Sequence, residues 1–405
     1  MRKRDKKLRE KRANPLVYLV FGGIVALYAK VFKKQRVKTS LPRDLKAPFI
    51  IVGNHSNFFD FVYVVRAFYP HRVNFVVARK YFHYPVLSWL MKLAHSIPKS
   101  LFQADIGTIA AMMDILKQGG IIGVYPEGQI AIQGITNSNG EAIAKLVKKT
   151  EVPVVRVLTG GAYFCDPPWA RSSRKGYIES RIDIAVTAEQ AKSLSIDEIS
   201  DIINHSIYID NFDFQRINDC KYRGNRLAEG LENILYLCPC CKSEFSIVTK
   251  DSEIICEICG EKAYFGIDGH LLWEKKRYFS HIGEWHYWQL EHEKTIIEEN
   301  QNFTVSEPVE LAMLKEKGNG IEAVGKGIFT AKRNTYIYNG TLKGEKVTLS
   351  FSTFSICCLP FDSGKNFQIY SKNQLYEFRP ENPKWCMKIS NICEGLNGCI
   401  KSEAV

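Results

Sequence analysis

A histidine and an aspartate five residues apart, His55 and Asp60, are the side chains best suited to acid–base chemistry. An apolar run at 49–52 ends at Gly53, and Asp60 begins a second apolar run at 61–65, so the order predicts a strand, a turn and a helix start. Residues five apart do not face each other on a continuous helix, but across a turn the carboxylate can accept a hydrogen bond from Nδ1. That bond would fix the tautomer and leave Nε2 free to remove a proton from a hydroxyl that attacks a carbonyl.

The His–Asp pair alone does not separate catalysis from a structural role, because a histidine at a strand end is commonly a satisfied structural residue. Its neighbours add to the signal, since further short blocks follow in a fixed order. These blocks are Asn54-His55 with Asp60, Val77-Ala78-Arg79-Lys80 with Pro85, Ile97-Pro98-Lys99, Tyr125-Pro126-Glu127-Gly128 and Val152-Pro153-Val154-Val155. Together they resemble the motifs of the glycerolipid acyltransferase family, which makes phosphatidic acid from 1-acylglycerol-3-phosphate.

The resemblance implies a reaction and a set of roles. The family's acyl donor is an acyl-thioester of coenzyme A or acyl carrier protein, and its acceptor is a lysophospholipid. His55 would be the base and Asp60 its orienting partner, while Asn54 and the pair Glu127-Gly128 would belong to the substrate site. Because no Ser or Cys is paired with His55 as a nucleophile, the acyl group is expected to pass in one step.

Two motifs depart from the family pattern, and both departures concern the acceptor. The third motif normally continues Thr-Arg-Ser, whereas here Gln129, Ile130 and Ala131 follow. The missing Arg holds the acceptor's phosphate in the family, and a phosphate needs a charge-assisted partner. The candidates to replace this Arg are Arg79, Lys99 and Arg156. Lys99 stands where the second motif usually has Arg, and Arg156 stands at the second Pro position of the fourth motif.

The first 46 residues carry all of the excess positive charge. They contain fifteen Lys and Arg against three Asp and Glu, and the remainder has forty of each sign, so the net charge of +12 is local. The apolar run at 16–31 is shorter than the about 20 residues of a spanning helix and has basic residues at both ends. We expect 1–46 to be an anchor in the cytoplasmic leaflet that contacts membrane lipids. A marginal span and a buried core helix are the alternatives, and the absence of interleaved stacking aromatics argues against nucleic acid.

Residues 47–230 alternate apolar strands with helical stretches, which is the pattern of an α/β domain with a mixed sheet flanked by helices. Strands are predicted at 49–52, 73–78, 121–125 and 153–158, and helices at 60–68, 85–94, 105–117 and 138–149. The motif residues then fall at strand ends, where the catalytic loops of such sheets lie.

A second site is predicted from cysteine spacing at 231–275. Cys238 and Cys241 form one Cys-x-x-Cys pair, and Cys256 and Cys259 form another that is followed by a glycine. Two such pairs at this separation are typical of a zinc ribbon, whose four thiolates close the shell of a structural zinc ion. Cys240 lies inside the first pair and is left out because its spacing does not suit the knuckle; a disulfide or redox pair is the alternative.

The C-terminal part is predicted to be a separate β-rich domain. Residues 276–300 are expected to form a linker helix, and 301–405 contain short alternating stretches followed by an amphipathic helix. This order resembles a pleckstrin-homology-like barrel, which would bind lipid head groups or a protein partner.

The sequence therefore predicts an α/β acyltransferase domain with an N-terminal membrane helix, a small zinc ribbon and a C-terminal barrel-like domain. The expected location is the cytoplasmic face of the cell membrane, with peripheral or monotopic attachment. The alternative function is a non-catalytic, lipid-binding membrane adaptor with a degenerate acyltransferase fold. The altered third motif favours this alternative, whereas the intact Asn54, His55, Asp60 and Glu127 argue against it.

Overall fold

The computed structural model describes residues 11–101, 105–137, 139–315, 320–371 and 374–403, without the side chains of 85 and 398–403. Contacts within the chain define two compact units. The first contains Met1–Ala131, Ile135–Tyr163 and Gly176–Phe214, and the second contains Ile132–Gly134, Phe164–Lys175 and Gln215–Val405. This division into two units does not test the domain boundaries predicted from the sequence, which remain predictions.

The first unit contains a seven-stranded mixed sheet. Its strands are β1 (Arg36–Thr39), β2 (Phe49–Gly53), β3 (Val73–Ala78), β4 (Ile97–Lys99), β5 (Ile121–Val124), β6 (Val154–Gly160) and β7 (Glu179–Val186). They lie in the order β1-β7-β6-β2-β5-β3-β4, and every neighbouring pair is parallel except β6 with β7. The carboxyl ends of β2 to β6 therefore meet at one edge of the sheet, which is where loops of this fold class carry functional side chains.

Helices connect these strands and cover the sheet. They are α1 (Pro15–Val17), α2 (Gly23–Val31), α3 (Asp60–Phe68), α4 (Pro85–Leu93), α5 (Ile106–Lys117), α6 (Ala142–Thr150), α7 (Ala162–Cys165), α8 (Ala188–Ser193), α9 (Ile196–Ile207) and α10 (Asn211–Asn218). A π-helix at Tyr18–Gly22 joins α1 to α2, and a 3₁₀ helix at Arg79–His83 follows β3.

The central strand β2 is buried on both faces. Ile50 and Val52 pack in a core with residues of α5, α6 and α9, while Phe49 and Ile51 pack in a second core with residues of α3. Alternation with a period of two sends successive side chains to opposite faces, so a continuous apolar run suits a strand with helices on both sides. This packing holds the end of β2, and the loop that follows it, in a fixed place.

The predicted N-terminal membrane helix is wrong. Among the residues that the structure describes, no helix is long and apolar enough to cross a membrane. The apolar run is divided between α1, the π-helix and α2, and part of it packs inside the protein. Tyr18 is buried with Ala13 and with Val65 of α3, and Val25 and Phe75 pack against the same cluster.

The second unit begins with a small antiparallel sheet. Its strands are β8 (Ile247–Lys250), β9 (Glu253–Cys256), β10 (Lys262–Phe265) and β11 (Leu271–Trp273), in the order β11-β10-β9-β8. A 3₁₀ turn at Leu231–Asn233 precedes it, and α11 (Ile282–Glu299) follows it. Trp285 of α11 donates to the carbonyl of Leu237 over 3.0 Å, and the Leu237 amide donates to Gln289 over 3.0 Å, so α11 fixes the chain just before the first cysteine pair.

The C-terminal region is an open antiparallel sheet, which corrects the predicted barrel-like domain. Its elements are β12 (Thr304–Leu314), β13 (Ile321–Lys332), β14 (Thr335–Leu342), β15 (Glu345–Ser352), a 3₁₀ turn (Thr353–Ser355), β16 (Phe361–Asp362), β17 (Asn366–Ser371), β18 (Gln374–Pro380) and α12 (Trp385–Glu403). The strand order β15-β14-β13-β12-β18-β17-β16 leaves β15 and β16 at opposite ends, and no pairing joins them within the described residues. Trp385 and Ile389 of α12 pack in the same core as Phe329 and Phe378, so the helix covers one face of the sheet.

Candidate active site and metal centre

His55 and Asp60 meet in the loop between β2 and α3. Nδ1 of His55 lies 2.8 Å from Oδ2 of Asp60, and the same oxygen accepts the backbone N–H groups of Ser56 over 2.6 Å and Asn57 over 2.9 Å. The Asp60 side chain is 3% exposed and the His55 side chain is 22% exposed. Burial raises the pKa of Asp60, and the hydrogen bond from His55 opposes that rise. Since the carboxylate accepts from Nδ1, Nε2 is the ring nitrogen left to act as a base.

Asn54 ties this loop to β6. Its side-chain amide donates to the carbonyl of Thr159 over 3.0 Å and to Oγ of Ser56 over 2.8 Å, and its Oδ1 accepts the Thr159 N–H over 2.8 Å. Asn54 is buried, with 2% of its surface exposed. Its amide donors are used inside the protein, so Asn54 supports the loop, and its predicted place in the substrate site stays a prediction.

Glu127 holds the backbone of His55 from the neighbouring strand. One carboxyl oxygen accepts the His55 N–H over 2.6 Å and the other accepts the Asn137 N–H over 2.8 Å, while the Ala131 N–H donates to the His55 carbonyl over 2.8 Å. Burial, with a smaller contribution from the charge of Asp60, raises the pKa of Glu127 to about 8. Glu127 thus fixes the loop that carries His55, and its predicted role in acceptor binding stays a prediction.

Gly128 has a turn role in the same motif. Its φ of 69° lies in the left-handed region that favours glycine, and its N–H donates to the Tyr125 carbonyl over 3.1 Å. The resulting turn presents Glu127 to the His55 backbone. The predicted contact of Gly128 with substrate stays a prediction.

Two loop residues were missed by the sequence analysis. Asn57 donates from its side chain to the Ala162 carbonyl over 2.8 Å and accepts the Phe59 N–H over 2.7 Å, and Ser56 contributes the N–H and hydroxyl described above. The available signal was an Asn three residues before the start of α3, since Asn side chains in turns often accept nearby backbone N–H groups.

Arg79 and Lys99 lie at the ends of β3 and β4, on the edge of the sheet that also carries His55. The Arg79 guanidinium donates to Asp105 over 3.0 Å and to the Ser100 hydroxyl over 3.0 Å. Lys99 donates to the Ser100 carbonyl over 3.3 Å. Burial lowers the pKa of Lys99; Asp105 opposes this effect and Arg79 adds to it. Both cations are thus placed where an anionic substrate group could reach them.

Arg156 is committed elsewhere. It lies on β6 and forms an ion pair with Asp183, its cross-strand partner on β7, and it also donates to the carbonyl of Ser206 over 3.3 Å. Asp183 already balances the charge of Arg156, and its predicted use as a phosphate ligand stays a prediction.

The four cysteines predicted as metal ligands form one cluster. The sulfur atoms of Cys238, Cys241, Cys256 and Cys259 all lie within 4.8 Å of one another. The Cys238–Cys259 and Cys241–Cys256 sulfur distances are 3.7 Å each. Cys240 is exposed and lies outside the cluster. The cluster can therefore bind a metal ion.

The two halves of the cluster have matching backbone turns. In each half the residue after the second cysteine donates to the carbonyl of the first, from Lys242 to Cys238 over 3.0 Å and from Gly260 to Cys256 over 2.9 Å. Both donors have positive φ, 62° for Lys242 and 68° for Gly260. Such paired turns aim two sulfur atoms from each half at a common centre.

Comparison with known proteins agrees with the site. Residues 30–159 match the family model described as Acyltransferase, and this range contains the His55 loop and the Glu127 turn. Over these residues the chain is therefore similar to the acyltransferase family.

Two relatives illustrate this similarity. The 1-acyl-sn-glycerol-3-phosphate acyltransferase of Bacillus subtilis (strain 168) is 24% identical over 133 residues, which are 33% of this chain and 61% of that protein. The chain therefore spans less than two thirds of the length of this curated relative. The crystal structure of the 1-acyl-sn-glycerophosphate acyltransferase of Thermotoga maritima has 18% identity and a TM-score of 0.40, and the match covers 49% of this chain and 79% of that one.

Proposed function

We propose that this protein transfers a fatty acyl group from an acyl-thioester to the hydroxyl of a lysophospholipid. The proposed acceptor is 1-acylglycerol-3-phosphate, which gives phosphatidic acid, and the donor carrier is coenzyme A or acyl carrier protein. The observation that carries the proposal is the partly exposed His55 ring, oriented through Nδ1 by a buried Asp60 carboxylate at 2.8 Å. The activity for which the Bacillus subtilis relative is named supports the choice of acceptor.

The chemistry follows from that orientation. Nε2 of His55 removes the proton of the acceptor hydroxyl while the hydroxyl oxygen attacks the thioester carbonyl carbon. The charge that develops on the imidazolium is balanced by Asp60, whose oxygen is held by two backbone N–H groups. Collapse of the tetrahedral intermediate breaks the C–S bond, and the imidazolium returns its proton to the leaving thiolate. An ester and a free thiol are the products.

The acceptor's phosphate would be held by Arg79 and Lys99. Both lie at the sheet edge that carries His55, and burial lowers the pKa of Lys99, so that a bound anion would stabilise its charged form. A dianionic phosphate would supply the charged partner that the Ile130 position does not.

The lipid acceptor implies that the protein works at a membrane surface, and we place it peripherally at the cytoplasmic face. Several large apolar side chains are exposed in the N-terminal part of the first unit, at Leu16, Leu19, Val20, Phe21, Ile24, Leu27, Val31 and Phe32. Lys30, Lys33 and Lys34 lie beside them and suit anionic head groups. Sedimentation with anionic and with neutral vesicles tests this location, and equal absence from both pellets would count against it.

The metal in the four-cysteine cluster would be zinc with a structural role. Four thiolates that each lie about 2.3 Å from a tetrahedral zinc ion are about 3.8 Å apart, close to the 3.7 Å observed for two of the sulfur pairs. Four sulfur ligands leave no open position for a substrate, so this ion would stabilise the fold and take no part in acyl transfer.

The function is tested with purified protein in detergent, labelled acyl-coenzyme A or acyl carrier protein, and a panel of lysolipids. Label is expected in phosphatidic acid, and His55→Ala is expected to lower the rate by at least about 1,000-fold while lipid binding persists. The exposed His205→Ala is the matched control. An adaptor would show lipid binding without transfer in wild type and both variants, and that result would overturn the proposal.

A further inference from the structure

We infer that Tyr125 positions the His55 imidazole for the proposed acyl transfer, and that its aromatic face stabilises the imidazolium formed during the reaction. This inference rests on the proposed function for its chemistry, but the ring contact on which it depends can be measured without turnover. It assigns to the first residue of the third motif a role that neither the sequence nor the comparisons provide.

The contact between the two rings is direct. The centroids of Tyr125 and His55 are 4.7 Å apart and their planes differ by 21°, so the rings are stacked. Tyr125 comes directly after β5, which pairs in parallel with β2, and His55 follows β2 by one further residue. Neighbouring parallel strands thus bring the two rings together although 70 residues of chain separate them.

The local backbone makes room for this stack. A Cβ atom at Gly53 would lie 3.2 Å from Cε1 of Tyr125 and 3.1 Å from the Val157 carbonyl oxygen. Both distances are tighter than ordinary van der Waals contact, so a side chain at position 53 would press on the phenol ring. The glycine that ends β2 therefore allows Tyr125 to lie flat beside the loop.

The ring, and not the hydroxyl, is the functional part of Tyr125. Its hydroxyl oxygen is buried, and no group among the described residues forms a hydrogen bond with it. Burial raises the pKa of this hydroxyl well above its ordinary value, with further contributions from the charges of Asp60 and Tyr63, so the phenol stays neutral. A buried hydroxyl without a partner is unfavourable, and phenylalanine would fill the same space without that cost.

Two physical effects follow from the stack. Packing against a flat ring restricts rotation of the imidazole, since Asp60 fixes Nδ1 but leaves the ring free to pivot about that bond. In addition, a cation within about 6 Å of an aromatic face is attracted by the ring's negative face. The imidazolium would meet that face on one side and the carboxylate of Asp60 at its edge, while Glu127 holds its backbone N–H.

The geometry is tested by NMR on the full-length protein with labelled histidine. The His55 ring protons should show a ring-current shift that Tyr125→Phe retains and Tyr125→Leu loses. Loss of the shift in Tyr125→Phe, or no shift in the wild type, would overturn the stack. This measurement does not depend on turnover. An inactive wild type would refute the proposed function, and the ring-current shift would still decide whether the two rings are stacked.

The kinetic test uses the same two variants. Tyr125→Leu should lower kcat about 10-fold with little change in the KM of either substrate, whereas Tyr125→Phe should recover kcat to within about 2-fold of the wild type. Equal kcat in all three proteins, or a loss confined to KM, would overturn the positioning role. Thermal unfolding of each variant separates these outcomes from a general loss of fold.

A phenylalanine series at position 125 with increasing ring fluorination completes the test, because it keeps the shape while the negative aromatic face is weakened. A stepwise fall in kcat supports stabilisation of the imidazolium. A flat series would overturn that part of the inference. The series also replaces Tyr125→Leu should the leucine variant fail to fold.

Discussion

At the scale of single residues, the burial of Lys99 gives a prediction about acceptor binding. Burial lowers the pKa of its ammonium group, Asp105 opposes this effect and Arg79 adds to it, so a bound phosphate would favour the charged form of Lys99. Lys99→Met should therefore raise the KM for the acceptor about 10- to 100-fold, the range expected for loss of one charge-assisted hydrogen bond, and change kcat little. Initial rates at varied acceptor concentration give this result. Lys117→Met, at the exposed end of α5, is the control. An unchanged KM for the acceptor in Lys99→Met would exclude Lys99 from the acceptor site.

Glu127 gives a residue-scale prediction about pH. Its pKa is about 8 in the folded protein against an ordinary value of 4.5. The folded state thus binds this proton more tightly than the unfolded state, so the stabilisation is complete below about pH 4.5 and is lost as the pH rises to about 8. The free energy of unfolding should fall with pH in this window, by at most about 1.4 kcal/mol per pH unit from this group.

Glu127→Gln isolates that contribution because glutamine does not titrate. Denaturant titrations at several pH values should show the wild type losing its advantage over Glu127→Gln as the pH rises from 5 to 8. Glu322→Gln, an exposed substitution, should track the wild type throughout. A constant difference between wild type and Glu127→Gln would show that Glu127 does not hold a proton in this range.

The sequence predicted that His55 and Asp60 meet, but not the hydrogen bonds that hold their loop. His55 and Asp60 are near in sequence, and a turn between a strand and a helix is sufficient to bring them together. Glu127 reaches the His55 backbone because β5 is the neighbour of β2, and strand order is not contained in local pattern. The motif resemblance indicated that Glu127 belongs to the site, but it did not predict the hydrogen bond to the His55 backbone.

At the scale of elements, the apolar runs predicted strands and helices near their observed places. β3 at Val73–Ala78 and α3 at Asp60–Phe68 have the predicted bounds, because each is a continuous apolar or amphipathic run between clear breaks. The pairing of β6 with β7 was not predicted, and it is this pairing that commits Arg156 to Asp183.

The two corrected elements have a common physical cause. An apolar run in the sequence indicates burial but does not say whether protein or lipid covers it. The run that contains Tyr18 was interpreted as a membrane helix, whereas Tyr18 packs against Val65 inside the protein. Alternating strands likewise predict a meander but not its closure. The open order from β15 to β16 arises because β12 pairs with β18, a long-range contact.

The element with the sharpest test is the four-cysteine cluster. We expect one zinc ion per chain by elemental analysis. Cys256→Ser should lose the ion and lower the free energy of unfolding by several kcal/mol, because binding of a structural metal contributes directly to folding. Cys240→Ser should keep both the ion and the stability, since Cys240 is exposed and outside the cluster. Retention of zinc and fold in Cys256→Ser would refute the assigned ligand set.

At the scale of the whole molecule, the composition alone would have suggested a generally basic protein. The net charge of +12 lies in the first 46 residues, and the remainder has equal numbers of basic and acidic side chains. With equal numbers of both signs, the rest of the chain can form ion pairs inside its packed units. One group of ion pairs in the second unit joins α11, α12 and the loop before β8.

These ion pairs are formed by Lys388 of α12. Its ammonium donates to both carboxyl oxygens of Glu244, over 2.5 and 2.6 Å, and lies 3.9 Å from Glu293 of α11. The Lys388 side chain is 10% exposed and that of Glu293 is 1% exposed. Tyr236 donates to Glu293 over 3.0 Å, which connects the chain just before the cysteine cluster to the same group.

Lys388→Met should therefore destabilise the second unit by about 2 kcal/mol. Removing one partner of a buried pair costs about 3 to 5 kcal/mol, and the 31% exposure of Glu244 reduces this figure because water can solvate its charge. Hydrogen exchange of amides in β8, α11 and α12 is the measurement, and faster exchange is expected in all three elements. Lys250→Met, on the exposed end of β8, should leave these rates unchanged. Faster exchange confined to α12 would show that Lys388 stabilises only its own helix and does not join the three elements.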